Sequence, residues 1–350
     1  MNEAPAAEGK REFEVRIAPH GRLVRAGADR SILDAALAAG LNLPHSCKSG
    51  HCSSCRARLT AGQIRYPNGP PLGLTLQEAQ AGYVLLCQAR PVTDVSVEAR
   101  LIANVADVEM KTLPCRIARL TALAPDVMQV FLKLPSVETL RFRAGQYLDV
   151  LLDDGRRRSF SIASPPHDSE LLELHVRRVA GGGFTERLFK EMHSGSLLRI
   201  EGPIGQFVYR EGASSMLMIA GGTGFAPLKS MLRHVLERGV DRPIHFYWGA
   251  RQAVDLYEEA LVLEWARTYP KFTFSAVLSE ATGAGAAHRR LGWVHEVALA
   301  DHASLAGFDV YVAGPPALVE AVRASFPSRG LSEDRLSFDS FDYAPDARAP

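Results

Sequence analysis

Apolar and polar positions alternate with a period of two over residues 12–17, and a second short run, 22–25, is apolar at its centre. Pro19–Gly21 lies between them, so the pattern predicts a β-hairpin. The period then lengthens. Ile32, Leu33, Ala36 and Leu37 recur at helical spacing behind Ser31-Ile-Leu-Asp34, a capping-box-like start, and Gly40 ends that helix. Residues 101–112 carry no clear period and read as a linker. From Cys115 to Glu211 the chain reads as short strands between turn signals, at 115–120, 127–134, 146–152, 159–162 and 172–179. That spacing predicts an antiparallel barrel. From Ser215 onward strands (216–219, 244–248, 272–278, 309–312) alternate with helical stretches (226–238, 255–268 and from Pro316), as in a parallel α/β sheet. Three architectures predict three domains: 1–105, 106–211 and 212–350.

Composition narrows the function. The chain has 350 residues, 40 Lys+Arg against 39 Asp+Glu, and a net charge of +1. No overall field draws it to nucleic acid or to an anionic membrane. The longest apolar run, near Met216 to Leu228, is broken by Gly221, Gly222 and Gly224, far short of the ~20 residues a spanning helix needs. The first 30 residues lack a signal-peptide pattern. We therefore expect a cytoplasmic protein without membrane insertion, whose thiols stay reduced.

Five cysteines are too few and too clustered for a disulfide scaffold. Cys47-Lys-Ser-Gly-His-Cys52-Ser-Ser-Cys55 followed by a distant Cys87 has the plant-type [2Fe–2S] spacing. Four thiolates must converge on two irons, and Gly50 lets a short loop wrap closely enough to supply three of them. A structural zinc site is the alternative, although zinc usually takes paired C-x2-C knuckles. His45 and His51 read as loop residues, and Cys115 as a buried apolar side chain in a strand.

Two signals suit a flavin. In Arg158-Ser159-Phe160-Ser161 the Arg can pair with a pyrophosphate, the ring can stack on an isoalloxazine, and Ser161 can hydrogen-bond near its N5. A basic edge strand would look similar. The glycine turn Gly181-Gly182-Gly183, leading into a helix, can present amides to a phosphate, with Thr185 as cap and donor; a plain glycine loop is the other reading. A second glycine turn, Gly221-Gly222-Thr223-Gly224 with Pro227 in the following helix, ends an apolar strand, and a later strand ends at Gly314-Pro315-Pro316. Ligands of open α/β sheets sit at such strand ends, so both turns are candidates for a dinucleotide.

On these stretches the chain resembles the ferredoxin–NADP reductase superfamily in its fused form, with an N-terminal plant-type ferredoxin. The likeness spans about residues 13–343. Oxygenase reductase components share the layout. So do the CDP-6-deoxy-glucoseen reductases of deoxysugar formation, which the stretch His175–Thr185 and the pair Leu256–Tyr257 resemble most. The resemblance implies a β-grasp ferredoxin, an antiparallel flavin barrel and an α/β nucleotide domain. It implies cluster ligation by Cys47, Cys52, Cys55 and Cys87, and FAD held by Arg158, Ser159, Phe160, Ser161, Gly182, Gly183 and Thr185. It also implies a nicotinamide nucleotide over Gly222, Thr223, Gly224, Gly314 and Pro315. Ser161 and a C-terminal aromatic, Phe341 or Tyr343, would flank the reacting flavin.

Three departures show: Ser53 where the family often has Gly, Phe160 for the commoner Tyr, and Ala313 where many members carry Cys. Electrons are expected to pass from NADH, less readily NADPH, to FAD, then singly through the [2Fe–2S] cluster to a redox partner protein. That partner would be a deoxysugar dehydrase or, alternatively, an oxygenase component.

Overall fold

A hairpin whose alternate residues are apolar must cover one face, and the N-terminal sheet does so with a single helix. The computed structural model describes residues 11–45, 48, 50, 53–101, 108–280 and 289–341. They fall into two compact units, Met1–Asp107 and Val108–Pro350.

In the first unit, β1 (Glu12–Ala18) and β2 (Arg22–Gly27) form the expected hairpin, and α1 (Ile32–Ala38) follows. The Ser31 hydroxyl accepts from the Asp34 amide at 3.1 Å, capping α1, and Gly40 leaves the helix at φ +75. Then come β3 (Arg56–Ala61), β4 (Ile64–Arg65), α2 (Leu76–Gln80), β5 (Tyr83–Leu85), β6 (Arg90–Pro91) and β7 (Val95–Glu98). The main sheet runs β2-β1-β7-β3-β5, with β1 and β7 parallel and the other pairs antiparallel, while β4 and β6 pair apart. Ile32, Leu33, Ala35 and Ala36 bury against Val15, Ile17, Val24 and Val97. This is the β-grasp arrangement.

The second unit begins with a barrel. Its strands are β8 (Lys111–Ala124), β9 (Val127–Lys133), β10 (Tyr147–Leu151), β11 (Arg157–Ser161) and β12 (Leu172–Arg177). After α3 (Gly183–Lys190) comes β13 (Leu197–Ile204). The order is β11-β10-β13-β8-β9-β12, antiparallel throughout, and a bridge between Ile162 and Leu174 joins the two edges. The first strand starts at Lys111, four residues before the sequence reading placed it. The strand β13 was not foreseen. Its burial pattern is weak, and Pro203 interrupts its end.

The chain continues through β14 (Met216–Gly221), α4 (Phe225–Glu237), β15 (Ile244–Ala250), α5 (Glu259–Thr268), β16 (Phe272–Leu278) and β17 (Arg290–Leu291). It ends with α6 (Val294–Asp301), β18 (Asp309–Gly314), α7 (Pro316–Ser325) and β19 (Leu336–Ser340). All six strands are parallel, in the order β17-β16-β15-β14-β18-β19. The connection reverses direction between β14 and β18, the position where open sheets bind ligands. No helix among the described residues is long and apolar enough to cross a membrane.

Candidate functional site

The first candidate site is built at one end of the β-grasp sheet. Cys55 immediately precedes β3 and Cys87 follows β5 by two residues. Arg56 pairs with Leu85, and the Leu86 amide donates to the Cys55 carbonyl at 3.1 Å, so both thiols come to the same sheet end. They are 3% and 7% exposed and form no disulfide. The amides of Ile32 and Leu33 fix the Cys87 side by donating to Ala89 and Leu86.

Gly50 sits at φ +83, where a Cβ would lie 2.8 Å from Gln88 and 2.9 Å from Pro71, so only glycine lets this loop lie so close. Ser53, which departs from the family's glycine, adopts φ +56 and its hydroxyl donates to the Gly73 carbonyl. The chain therefore keeps the left-handed geometry and holds it with a hydrogen bond. Two buried thiols that form no disulfide, beneath a loop of this kind, suit thiolate ligation of a cluster. Cys47, Cys52 and His51 lie outside the described residues. His45 is bonded to the Leu43 carbonyl (2.7 Å), as a loop residue. Cys115 is buried in β8, and burial pushes its thiol up to about 12, which makes it unreactive.

The flavin motifs converge on the barrel. Burial along β11 alternates until Ser161, which is buried. Alternation sets Arg158 and Phe160 on one face. The Phe160 ring meets Phe184 of α3 at 5.6 Å, so β11 and the glycine turn before α3 lie together. Among the described residues the Ser161 hydroxyl has no hydrogen-bond partner, whereas Ser159 donates to Asp149 at 2.6 Å. Burial raises the Asp149 carboxyl above its ordinary value, and that bond offsets only part of the rise.

Thr185 corrects the sequence reading. Gly182 is the N-cap of α3, and no side chain caps the helix. Thr185 stands three positions in. Its hydroxyl accepts from the Val179 amide at 3.1 Å and lies 3.4 Å from the Gly182 carbonyl. It braces the turn from inside, because at that position the side chain points back under the loop. A Cβ on Gly183 would meet only Arg156 Nη2, at 3.9 Å, which leaves room for an anion at the helix N-terminus beside a basic group.

At the parallel sheet, Ala220 pairs with Ala313, so Gly221 and Gly314 lie side by side. The contact is backbone on backbone. A Cβ on Gly224 would lie 1.9 Å from the Ala313 carbonyl oxygen, and one on Gly314, at φ +150, would lie 2.9 Å from the Gly221 oxygen. Pro315 caps α7 and packs under Gly221. Gly222 takes φ +54, and its carbonyl accepts from the buried Trp248 indole at 3.0 Å. Thr223 is half-buried in the same turn. The amide of Phe341, one residue past β19, donates to the Gly314 carbonyl at 2.8 Å, which puts this residue beside the nucleotide turn. Tyr343 lies outside the described residues.

The sequence reading missed Arg177. It ends β12 of the barrel, yet its Nη2 lies 3.6 Å from where a Gly222 Cβ would be. Its Nη1 approaches Asp126 at 3.3 Å, while Nε and Nη2 are buried without a hydrogen-bond partner. A guanidinium held unsatisfied over a glycine turn suits an incoming diphosphate. The available signal was a basic residue at the strand end, just before the glycine turn that opens α3.

Comparisons with known proteins match this geometry. Residues 15–92 fit the model of the 2Fe-2S iron-sulfur cluster binding domain. Residues 114–209 fit the oxidoreductase FAD-binding domain, and 218–324 the oxidoreductase NAD-binding domain. The CDP-6-deoxy-L-threo-D-glycero-4-hexulose-3-dehydrase reductase of Yersinia pestis is 34% identical over 331 residues, covering 94% of this chain and 98% of its own. Terephthalate 1,2-dioxygenase reductase component 1 of a Comamonas species is 35% identical, covering 90% and 93%. Among solved structures, the Amycolatopsis cytochrome P450 reductase GcoB is 32% identical, with a TM-score of 0.73 over 94% of this chain and 98% of that one. The chain therefore belongs to the ferredoxin–NAD(P) reductase superfamily, as an iron–sulfur flavoprotein oxidoreductase joining a [2Fe–2S] domain, an FAD-binding barrel and an NAD(P)-binding domain.

Proposed function

We propose that this chain is the NADH-oxidising reductase of a two-protein system, and that its partner is a deoxysugar dehydrase carrying out reductive 3-deoxygenation of a CDP-sugar. The observation that carries the nucleotide half is Arg177, whose buried Nε and Nη2 have no hydrogen-bond partner, over Gly222, where the barrel meets the parallel sheet. A flavin held by these residues would supply the conversion of a two-electron hydride donor into the one-electron steps that a [2Fe–2S] cluster requires.

The chain's own residues supply the rest. Arg158 and the Gly182–Gly183 turn hold the FAD pyrophosphate, Phe160 stacks on the ring, and Ser161 donates its free hydroxyl toward N5. Ser159 is held back by Asp149 and steadies the strand, and Thr185 braces the turn. Arg177 and the Gly222–Gly224 turn take the nucleotide diphosphate, with Gly314 and Pro315 leaving room beside it. Phe341 shields the reacting face. Cys47, Cys52, Cys55 and Cys87 ligate the irons.

NADH is favoured over NADPH by likeness to the NADH-using branch and because no basic cluster follows Tyr247–Trp248 to receive a 2′-phosphate, Arg251 being the one base nearby. We set the domain bounds at 1–105, 106–211 and 212–350, in the gaps from Glu98 to Lys111 and from Ile204 to Met216. We place the protein in the cytoplasm.

Support for the dehydrase partner is the near full-length likeness to the Yersinia reductase and the stretch around His175 and Tyr257. The similar likeness to the Comamonas protein favours the second reading, an oxygenase partner. The test mixes purified chain, NADH and each candidate partner with its substrate. NADH consumption matched mole for mole by deoxygenated sugar supports the first reading. Hydroxylated product from the oxygenase alone overturns it.

A further inference from the structure

A buried group of charges joins the barrel to α4, outside every cofactor contact named above. Lys229 of α4 has a side chain 5% exposed. Its Nζ lies 2.8 Å from Glu173 Oε1 on β12, and 2.7 and 2.8 Å from the two oxygens of Glu258 in the nucleotide domain. His175 Nε2 lies 3.0 Å from Glu173 and 3.5 Å from Glu258, and its Nδ1 is 3.0 Å from the Tyr257 hydroxyl. Glu173, His175 and Glu258 offer ligand atoms all within 4.8 Å of one another, a spacing that would suit a cation. The ammonium of Lys229 already stands there, so the cluster reads as an ion clasp and not as a metal site.

Its location gives it a function. Extending the Ile162–Leu174 bridge by one residue sets Ser161 across from His175, on the face turned away from the barrel core. The His175 ring lies 6.1 Å from Phe225, which follows the nucleotide turn directly and stacks on Trp248 at 4.1 Å. Two residues on, Arg177 faces Gly222. The clasp thus lies behind the joint where flavin and nicotinamide would meet.

More peripheral ties continue along the same face of α4. Ser230 donates to the Ser164 carbonyl at 2.7 Å, Arg233 pairs with Asp168 at 3.0 Å, and Glu237 meets His167 at 2.7 Å. The Ser230 bond is buried and uncharged, whereas the Arg233–Asp168 and Glu237–His167 pairs are partly exposed and weak. Among these ion pairs the clasp is the deeply buried one, where losing one partner is felt throughout the neighbourhood.

We propose that Lys229 is a positioning residue for hydride transfer: by tying Glu173 of the barrel to Glu258 of the nucleotide domain, it fixes β12 and the start of α4 at the separation the reaction needs. The proposal rests on the flavin and nucleotide reading above. The experiment compares Lys229→Met, the double variant Lys229→Met/Glu258→Gln, which removes one positive and one negative charge together, and Arg233→Ala as a control on the outer ties. Each is measured for FAD content, melting temperature, NADH–ferricyanide kcat and KM, and the isotope effect with NADH deuterated at the transferred position. Hydrogen exchange at β12 and α4 amides is followed in FAD-free protein.

A misplaced donor and acceptor slow the chemical step and leave ground-state binding alone. The double variant should therefore keep its FAD and fold, lose about tenfold or more in kcat with KM little changed, and show a larger isotope effect and faster exchange in both segments. Arg233→Ala should match the parent. A folded, FAD-replete double variant with the parent's kcat, isotope effect and exchange overturns the proposal. A parent protein that binds no FAD or does not oxidise NADH sinks the underlying reading instead.

Discussion

Replacing Arg177 by Met tests the nucleotide site with two readouts that move in opposite senses. In the protein without nucleotide, Nε and Nη2 of this side chain are buried and unpartnered, and only Nη1 has a partner, Asp126 at 3.3 Å. Each unmet buried donor costs about 1–3 kcal/mol. Methionine keeps much of the length and removes both donors, and the Asp126 left behind is about a third exposed and can hydrate. The melting temperature should therefore hold or rise. Binding moves the other way. Charge-assisted hydrogen bonds to a diphosphate are worth about 1.5–3 kcal/mol, which corresponds to roughly a 10- to 100-fold increase in KM for NADH. The contact is the same before and during hydride transfer, so kcat should change little. Thermal denaturation without nucleotide and steady-state NADH–ferricyanide kinetics give both numbers. A fall in melting temperature with KM unchanged would show that Arg177 is a structural residue and refute the diphosphate assignment.

Cys55→Ser should keep NADH–ferricyanide turnover through the flavin and abolish cytochrome c reduction through the cluster; equal loss of both would contradict the electron order. Gly224→Ala drives a Cβ to 1.9 Å from a carbonyl oxygen that no side chain can yield, so the melting temperature should drop by an amount equivalent to about 3 kcal/mol, and NADH turnover should be lost. A variant as stable as the parent would mean that the two glycine turns are not packed backbone to backbone. Acid stability reports on the clasp. Burial pushes the Glu173 carboxyl up, but its bond to His175 and the charge of Lys229 outweigh burial and hold it well below the usual range. Its folded value thus lies below its unfolded one, so its contribution is complete above the ordinary Glu range near 4.3 and fades as pH falls below it. Melting curves from neutral pH down to acid should show a steeper loss for the parent than for Glu173→Gln, and parallel curves would refute the assignment.

Three domain classes, the strand and helix types, and the buried place of Cys115 in a strand were legible because each rests on local chemistry. Period-two alternation makes the hairpin β1–β2 whatever surrounds it. The helix α4 follows from its apolar spacing, and the C-x4-C-x2-C spacing limits what Cys47 to Cys55 can bind. The strand β13 and the brief β17 were not legible, because β13 is irregularly buried, β17 is exposed, and both gain their pairing from neighbours distant in sequence. Thr185 was misread as a cap because its place relative to the first helical turn depends on where the glycine turn ends, and three adjacent glycines leave that open.

What tertiary structure alone decided is which groups meet across domains. Arg177 and Gly222 are 45 residues apart, and Lys229 reaches Glu173 across 56. No periodicity encodes such meetings. They depend on the register that closes the barrel through Ile162 and Leu174, and on the face α4 turns toward it. Side chains along a chain announce their own conformational and solvation preferences, whereas an ion pair between segments exists only once the packing of everything between them has placed both ends.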